Sequence, residues 1–225
     1  MAGTLLFDLD GTLVDSAGDL AGSLDTLMQE KGKAPIGIDI GRQLIGHGIA
    51  NLVRSALKLR GARDGEEDSP ADLKRFMEIY GARLTQTTRP YPNVMATLQQ
   101  LAAEGWTMAV CTNKRELFAR AIVDDLGMSK FFPVVSGPDT FGVGKPDPRH
   151  LLEAAKAAGG GEPVLFVGDS EVDVAAAKAA QMPVIALSYG YSKLPLASLS
   201  PDAIVDHFNQ VPAAIRNVLN KLSRT

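Results

Sequence analysis

Short apolar runs and longer stretches of helical period divide the chain unevenly. The first run, Thr4-Leu5-Leu6-Phe7, is followed from Thr12 to Leu84 by helical pattern alone. Leu20, Leu24, Leu27 and Met28 share one face, with a stop at Gly32, and Ile49, Leu52, Val53, Ala56 and Leu57 form a second stripe that ends at Gly61. After a polar loop at 61–68, Ser69 reads as an N-cap, Pro70 as a first helical residue and Asp72 as a capping acid. Leu73, Phe76, Met77, Tyr80 and Leu84 then make a buried face. From Arg89-Pro90-Tyr91-Pro92 onward the pattern changes. Apolar runs at 107–111, 133–136, 164–167 and 184–187 alternate with helical stretches, one carrying Phe118, Ala121, Ile122 and Leu126. A last helix carries Val211, Ile215, Val218, Leu219 and Leu222.

Strands alternating with helices build βαβ units and a parallel sheet. The expected fold is α/β: a doubly wound parallel-sheet (Rossmann-like) core with an all-helical cap inserted after the first strand. The core takes residues 1–15 and 90–225 and the cap residues 16–85, with 86–89 as the second hinge crossing. Turn formers near 13–18 and 86–92 suit a hinge.

Composition narrows the class of protein. With 225 residues, 45% hydrophobic and 22% charged, the chain has ordinary globular usage and enough length for a sizeable core. A net charge of −3 argues against nucleic acid or an anionic membrane as partner. No run approaches a membrane span and only three residues precede the first strand, so neither a span nor a signal peptide is expected, and the cytoplasm is the default location. Cys111 is the single cysteine and lies in an apolar run, which reads as an inert buried thiol.

The chemistry collects where strand runs end. Asp8 and Asp10 follow the first run, just before Gly11, and two acids so close imply a cation between them, a nearby lysine or one raised pKa. The run at 107–111 ends in Thr112-Asn113-Lys114, that at 164–167 in Gly168-Asp169, with Asp173 beyond, and Gly144-Lys145-Pro146 holds one lysine in a loop between them. In a parallel sheet these ends converge on one edge. Asp8, Asp10 and Asp169 would supply hard oxygen ligands that suit Mg²⁺. Thr112, the Asn113 amide and Lys145 would supply the donors and positive charge that a phosphoryl group needs. Asp173 lines or caps the following helix. Trp106 reads as packing at a strand start, and Lys114 with Arg115 as opening a helix.

These residues, Asp8-Leu9-Asp10-Gly11-Thr12, Thr112-Asn113, Lys145-Pro146 and Gly168-Asp169 with Asp173, resemble the motifs of the haloacid dehalogenase-like hydrolases. The segments Pro90-Tyr91-Pro92-Asn93-Val94, Phe141-Gly142-Val143-Gly144 and Tyr189-Gly190-Tyr191-Ser192 are similar to the phosphoglycolate phosphatase-like branch, although Asn93 stands where similar proteins often have glycine. The resemblance implies a Mg²⁺-dependent phosphatase acting through an aspartyl-phosphate. Asp8 would be nucleophile and metal ligand, and Asp10 the acid–base, offering its backbone carbonyl to the metal. Asp169 would be a further ligand, with Asp173 holding the metal's waters or Lys145.

The expected partner is a small phosphorylated substrate, 2-phosphoglycolate first, bound by a monomer or homodimer. Pyrophosphate, sugar phosphates and nucleoside monophosphates are alternatives. Dehalogenation is disfavoured by Asp10, a sugar-phosphate mutase by Thr12, and a phospho-Asp signalling receiver by the inserted helices. Arg42 and His47, flanking a loop between cap helices, are the candidates for meeting a substrate carboxylate.

Overall fold

The computed structural model describes residues 3–63 and 65–223. Asp64 of the expected polar loop, and residues 1–2 and 224–225 at the ends of the expected core ranges, lie outside the described residues. In chain order the elements are β1 (Thr4–Phe7), β2 (Val14–Asp15), α1 (Ala17–Glu30), α2 (Ile38–Leu44), α3 (Ile49–Leu59), α4 (Pro70–Gly81), β3 (Arg89–Pro90), α5 (Val94–Ala103), β4 (Thr107–Cys111), α6 (Glu116–Asp125), β5 (Val134–Ser136), α7 (Pro138–Phe141), α8 (Pro148–Ala158), β6 (Val164–Gly168), α9 (Glu171–Ala179), β7 (Val184–Leu187), β8 (Ala203–Val205) and α10 (Val211–Leu222).

Six strands form one parallel sheet in the order β5-β4-β1-β6-β7-β8. The chain winds outward from β1 through β4 to β5, then returns to β6 and winds the other way. This is the doubly wound order whose reversal point lies between the first strand and the fourth in sequence of the sheet, here β1 and β6. The two-residue period of the strands sends alternate side chains to opposite faces. Leu5, Phe7, Met108, Val110, Leu165, Val167, Ile185 and Leu187 pack on one face with α5, α6 and α10. Leu6, Ala109, Cys111, Phe166, Val184 and Ala186 pack on the other with α8 and α9. Every strand of the sheet's centre is therefore apolar on both faces, which is why each reads as an uninterrupted run.

The helices α1–α4 follow β1 and have an apolar cluster of their own. All nine residues of the first two predicted stripes are buried in it, with Phe76 and Tyr80 of α4, while Leu73, Met77 and Leu84 are partly buried. The Ser69 hydroxyl accepts from the Asp72 amide and starts α4 as its sequence predicts. The two chain crossings pair as a short antiparallel ribbon, Val14 opposite Pro90 and Asp15 opposite Arg89. Two-residue strands leave no periodicity to read. The edge strand β8 also escapes prediction, because it has three residues and Ile204 is exposed. In α6 the buried face is Ala119, Ile122 and Val123, rotated from the predicted stripe because Phe118 turns toward the α1–α4 cluster.

Asp19 ties the start of α1 to the second crossing. It is fully buried, and its carboxylate accepts from the backbone amides of Thr87 and Thr88 and from the Thr88 hydroxyl, at 2.7–3.1 Å. Burial alone would raise its pKa, but these hydrogen bonds outweigh it and hold the pKa below its ordinary value. Asp19→Ala should therefore destabilise the fold by about 3 kcal/mol in urea unfolding at pH 7, since it removes charge-assisted bonds and strands buried donors. A depressed folded pKa gives stability that is present above the unfolded pKa of 3.8 and lost as pH falls through the folded value. The difference between wild type and variant should accordingly shrink in acid.

Candidate active site

Strand register builds the site. Phe7 lies beside Val110 of β4 and Val167 of β6, so the three strands end level, and the next residues, Asp8, Cys111-Thr112 and Gly168-Asp169, emerge along one edge. The Asp8 amide donates to the Val167 carbonyl at 2.9 Å and continues the ladder one step past the strand. The Thr112 amide does the same to Ser136 of β5 at 3.0 Å. Asp8 and Asp169 thus face each other at the reversal point of the sheet.

Asp8, Asp169 and Asp173 are buried, and one carboxylate oxygen from each lies within 4.8 Å of the others. Lys145 reaches in from the loop before α8, its ammonium 2.9 Å from Asp8 Oδ1 and 2.6 Å from Asp173 Oδ1. One ammonium cannot balance three acids. Burial, opposed by Lys145 and reinforced by Asp173 and Asp10, pushes the Asp8 pKa up to about 6. Burial, with the charges of Asp173 and Asp8, raises Asp169 well above the ordinary range. Lys145 is held protonated: burial opposes its charge, but Asp173 and Asp8 prevail.

Each acid is aimed by its neighbours. The Thr12 hydroxyl donates to Asp169 Oδ1 at 2.8 Å and the Tyr191 amide to Oδ2 at 2.6 Å. Asp173 Oδ2 accepts from the amides of Asp169 and Ser170 at 3.1 Å and from the Ser170 hydroxyl at 2.8 Å, closing a capping box on α9. Asp173 is therefore both a helix cap and the partner of Lys145. Gly11 has φ +87°, and a Cβ there would lie 2.4 Å from Asp169 Oδ2. Only glycine admits both that backbone and that approach.

Asp10 stands apart from the acidic cluster. Its Oδ1 accepts from the Ser16 hydroxyl at 2.5 Å and its Oδ2 lies 2.9 Å from the ammonium of Lys114. Lys114 in turn donates to the hydroxyl of Tyr80, on α4, at 2.6 Å. The expectation that Lys114 opens a helix is corrected here: α6 begins at Glu116 behind an exposed Arg115, while Lys114 turns inward and is buried. Its signal in the sequence was its place, directly after two polar residues at a strand end. Tyr80 carried no such signal, since helical periodicity counts tyrosine as apolar. The Asn113 side-chain amide donates to the carbonyls of Gly46 at 3.1 Å and Lys145 at 2.9 Å, joining the core loops to the α2–α3 turn. Trp106 packs at the start of β4, and burial pushes the Cys111 thiol up to about 12, so it is inert at neutral pH.

A narrow cavity of about 40 Å³ opens over this edge. Asp8, Asp10, Thr112, Asn113 and Lys114 line its floor, and Leu20, Ile45, Ile49 and Leu52 of the helical segment form an apolar roof. Arg42 and His47 are not brought to it. Arg42 pairs with Asp15 at 3.0 Å and lies over the Tyr191 ring, while His47 lies 3.7 Å from Glu171 and lines an adjoining groove together with Asn113 and Lys145. Arg42 ends α2 on the side of the Asp15 crossing, and the positive φ of Gly46 and Gly48 turns the chain between them so that backbone rather than the His47 ring meets the cavity.

A family model described as haloacid dehalogenase-like hydrolase matches residues 3–181. The chain belongs to the haloacid dehalogenase-like hydrolases. Among curated members of this hydrolase family, the phosphoglycolate phosphatase of Agrobacterium fabrum is 38% identical over 218 residues, covering 96% of this chain and 94% of that protein. Phosphoglycolate phosphatase 1 of Pseudomonas aeruginosa is 43% identical over 211 residues, covering 92% and 77%. A crystal structure described as a predicted phosphoglycolate phosphatase from Haemophilus somnus superposes with a TM-score of 0.86 at 32% identity, covering 94% of this chain and 97% of that one. Among the described residues of this hydrolase, no helix is long and apolar enough to cross a membrane.

Proposed function

We propose that the chain is a Mg²⁺-dependent phosphatase that hydrolyses 2-phosphoglycolate, with residues 16–85 acting as a cap on the core 1–15 and 90–225 and 86–89 in the second crossing. The observation that carries this reading is the buried Asp8 carboxylate, paired with Lys145 and set within metal-ligand range of Asp169 and Asp173. The donor set fits a hard divalent cation. It is all oxygen and carries more negative charge than Lys145 neutralises, and burial together with the neighbouring acids raises the pKa values of Asp8 and Asp169. Asp8 and Asp169, together with the Asp10 carbonyl, would hold the cation, while Asp173 serves Lys145 and the α9 cap beside them. A bound Mg²⁺ would supply positive charge against the phosphoryl oxygens and the carboxylates.

The protein groups then divide the work. Asp8 attacks phosphorus in line and becomes the aspartyl-phosphate, and the substrate alkoxide leaves with a proton from Asp10. Asp10 next takes a proton from the water that hydrolyses the acyl phosphate. Lys145, the Thr112 hydroxyl and the Asn113 backbone amide hold the non-bridging oxygens. The reaction needs acceleration of up to about 10²¹-fold, of which acid–base chemistry supplies only about 10²–10⁴. Covalent division and fixed charge must supply the rest.

The likeness to proteins named phosphoglycolate phosphatase supports the two-carbon ester over a sugar phosphate or nucleotide. Phosphate release should be measured for purified enzyme across 2-phosphoglycolate, pyrophosphate, hexose phosphates and nucleoside monophosphates. The expected result is the highest kcat/KM for 2-phosphoglycolate, loss of activity in EDTA and recovery with Mg²⁺. A higher kcat/KM for a hexose phosphate or nucleotide would overturn the substrate, and full turnover without divalent cation would overturn the metal.

A further inference from the structure

We propose that Lys114 binds the carboxylate of the substrate and sets the enzyme's preference for an anionic leaving group; this rests on the 2-phosphoglycolate reading. A two-carbon acid ester presents two anionic ends to the site. The phosphoryl end belongs with Asp8, Lys145 and Thr112. The other end must lie on the leaving-group side, which Asp10 marks because it protonates the leaving oxygen.

Lys114 stands on that side. Its ammonium is 2.9 Å from Asp10 Oδ2, so a leaving oxygen in hydrogen-bond contact with Asp10 lies within about 5–6 Å of it. In glycolate the carboxylate is joined to that oxygen through one methylene, a span that brings it into contact with the ammonium. Lys114 is the cation among the described residues that line the cavity, and the roof opposite is Leu20, Ile45, Ile49 and Leu52, which offer a carboxylate nothing. An ammonium has three donors, and the contacts to Asp10 and Tyr80 use two. The side chain is held on its stem by those two partners and by the face of the Tyr80 ring, 4.8 Å from the nitrogen, so it is fixed before substrate arrives. Arg42, the other candidate, is occupied at Asp15 outside the cavity.

The test compares 2-phosphoglycolate with ethyl phosphate, which has the same two-carbon length and no carboxylate. In wild type kcat/KM should favour 2-phosphoglycolate. In Lys114→Met that preference should fall by about 10- to 100-fold, the loss of one charge-assisted hydrogen bond, and the change should be carried by KM for 2-phosphoglycolate. Lys114→Gln, which keeps a polar end, provides the same comparison should Lys114→Met not fold. Arg42→Ala, outside the cavity, should keep the preference. A preference retained in both Lys114 variants, with kcat reduced equally for both esters, would assign Lys114 to positioning Asp10 and overturn the proposal. A preference lost in Arg42→Ala would transfer the role to that residue. Failure of the underlying reading is distinguishable, because wild type itself would then not favour 2-phosphoglycolate.

Discussion

Asp8→Asn should lower phosphate release by about 10⁴- to 10⁶-fold while leaving the fold intact, the scale seen when a covalent nucleophile is removed. An amide oxygen is too weak a nucleophile to form the acyl phosphate, and Asp10, the next carboxylate along, is held by Ser16 and Lys114. The same substitution should raise stability at neutral pH. Burial lifts the Asp8 pKa to about 6 in the fold, against 3.8 when unfolded. The unfolded carboxyl therefore loses its proton first as pH rises, and this group destabilises the fold progressively between 3.8 and 6, then constantly above. Asparagine escapes that loss and still leaves Lys145 paired with Asp173. Thermal unfolding without divalent cation should show the variant melting above wild type at pH 8, with the gap closing toward pH 4. Mg²⁺ should raise the wild-type melting temperature more than the variant's, since the proposed site in the variant lacks one ligand charge. Turnover near the wild-type rate by a folded Asp8→Asn enzyme would remove Asp8 from the reaction. Equal melting temperatures at pH 8 would show that the charge is neutralised by something other than the metal.

The features legible in the sequence were those with a period or a fixed local chemistry. The central strands are buried on both faces, so their runs stood out, and the parallel order followed from their alternation with helices. The acids at the ends of β1 and β6 could be placed together because parallel strands that begin level also end level. Ser69 and Asp72 fixed the start of α4 through a contact three residues long. What escaped depended on the approach of distant segments. The ribbon of β2 and β3 joins residues far apart in sequence through two pairs. Lys114 and Tyr80 meet only because α4 folds back over the end of β4, and a lysine two residues before a helix looks like any solvated charge.

The case of Arg42 and His47 is the converse. Both had side chains suited to a carboxylate and lay near the right loop, but residue type does not specify direction. Arg42 reaches Asp15 and His47 lies beside Glu171, and neither lines the cavity. Asp173 shows how one residue carries two signals. Its spacing from Ser170 is that of a capping box, and its position above β6 is that of a site acid, and both are realised through different oxygens of one carboxylate.

Removing the charge of Lys145 should have the largest combined effect on folding and catalysis. Lys145→Met keeps the length and apolar stem of the side chain, so the buried volume changes little. It deletes the ammonium that lies between Asp8 and Asp173 and leaves Asp8, Asp169 and Asp173 together without a fixed cation. Breaking one side of a buried ion pair costs about 3–5 kcal/mol. The remaining acids respond by holding protons to higher pH in the folded state than in the unfolded state. Stability of the variant should consequently fall as pH rises, more steeply than that of wild type. Urea unfolding in EDTA should find the variant about 3–5 kcal/mol less stable at pH 8, with a smaller deficit at pH 5. Mg²⁺ should restore more stability to the variant than it adds to wild type, because the cation enters a cluster of higher negative charge. It should not restore catalysis: kcat should stay down by at least about 10²–10³-fold if, as proposed, Lys145 also serves as a donor to the phosphoryl oxygens. Recovery of stability without recovery of turnover would separate the structural task of this lysine, holding the acidic cluster together in the fold, from the role proposed for it on the phosphoryl group. Equal stability of variant and wild type at pH 8 in EDTA would mean that the three carboxylates do not depend on it.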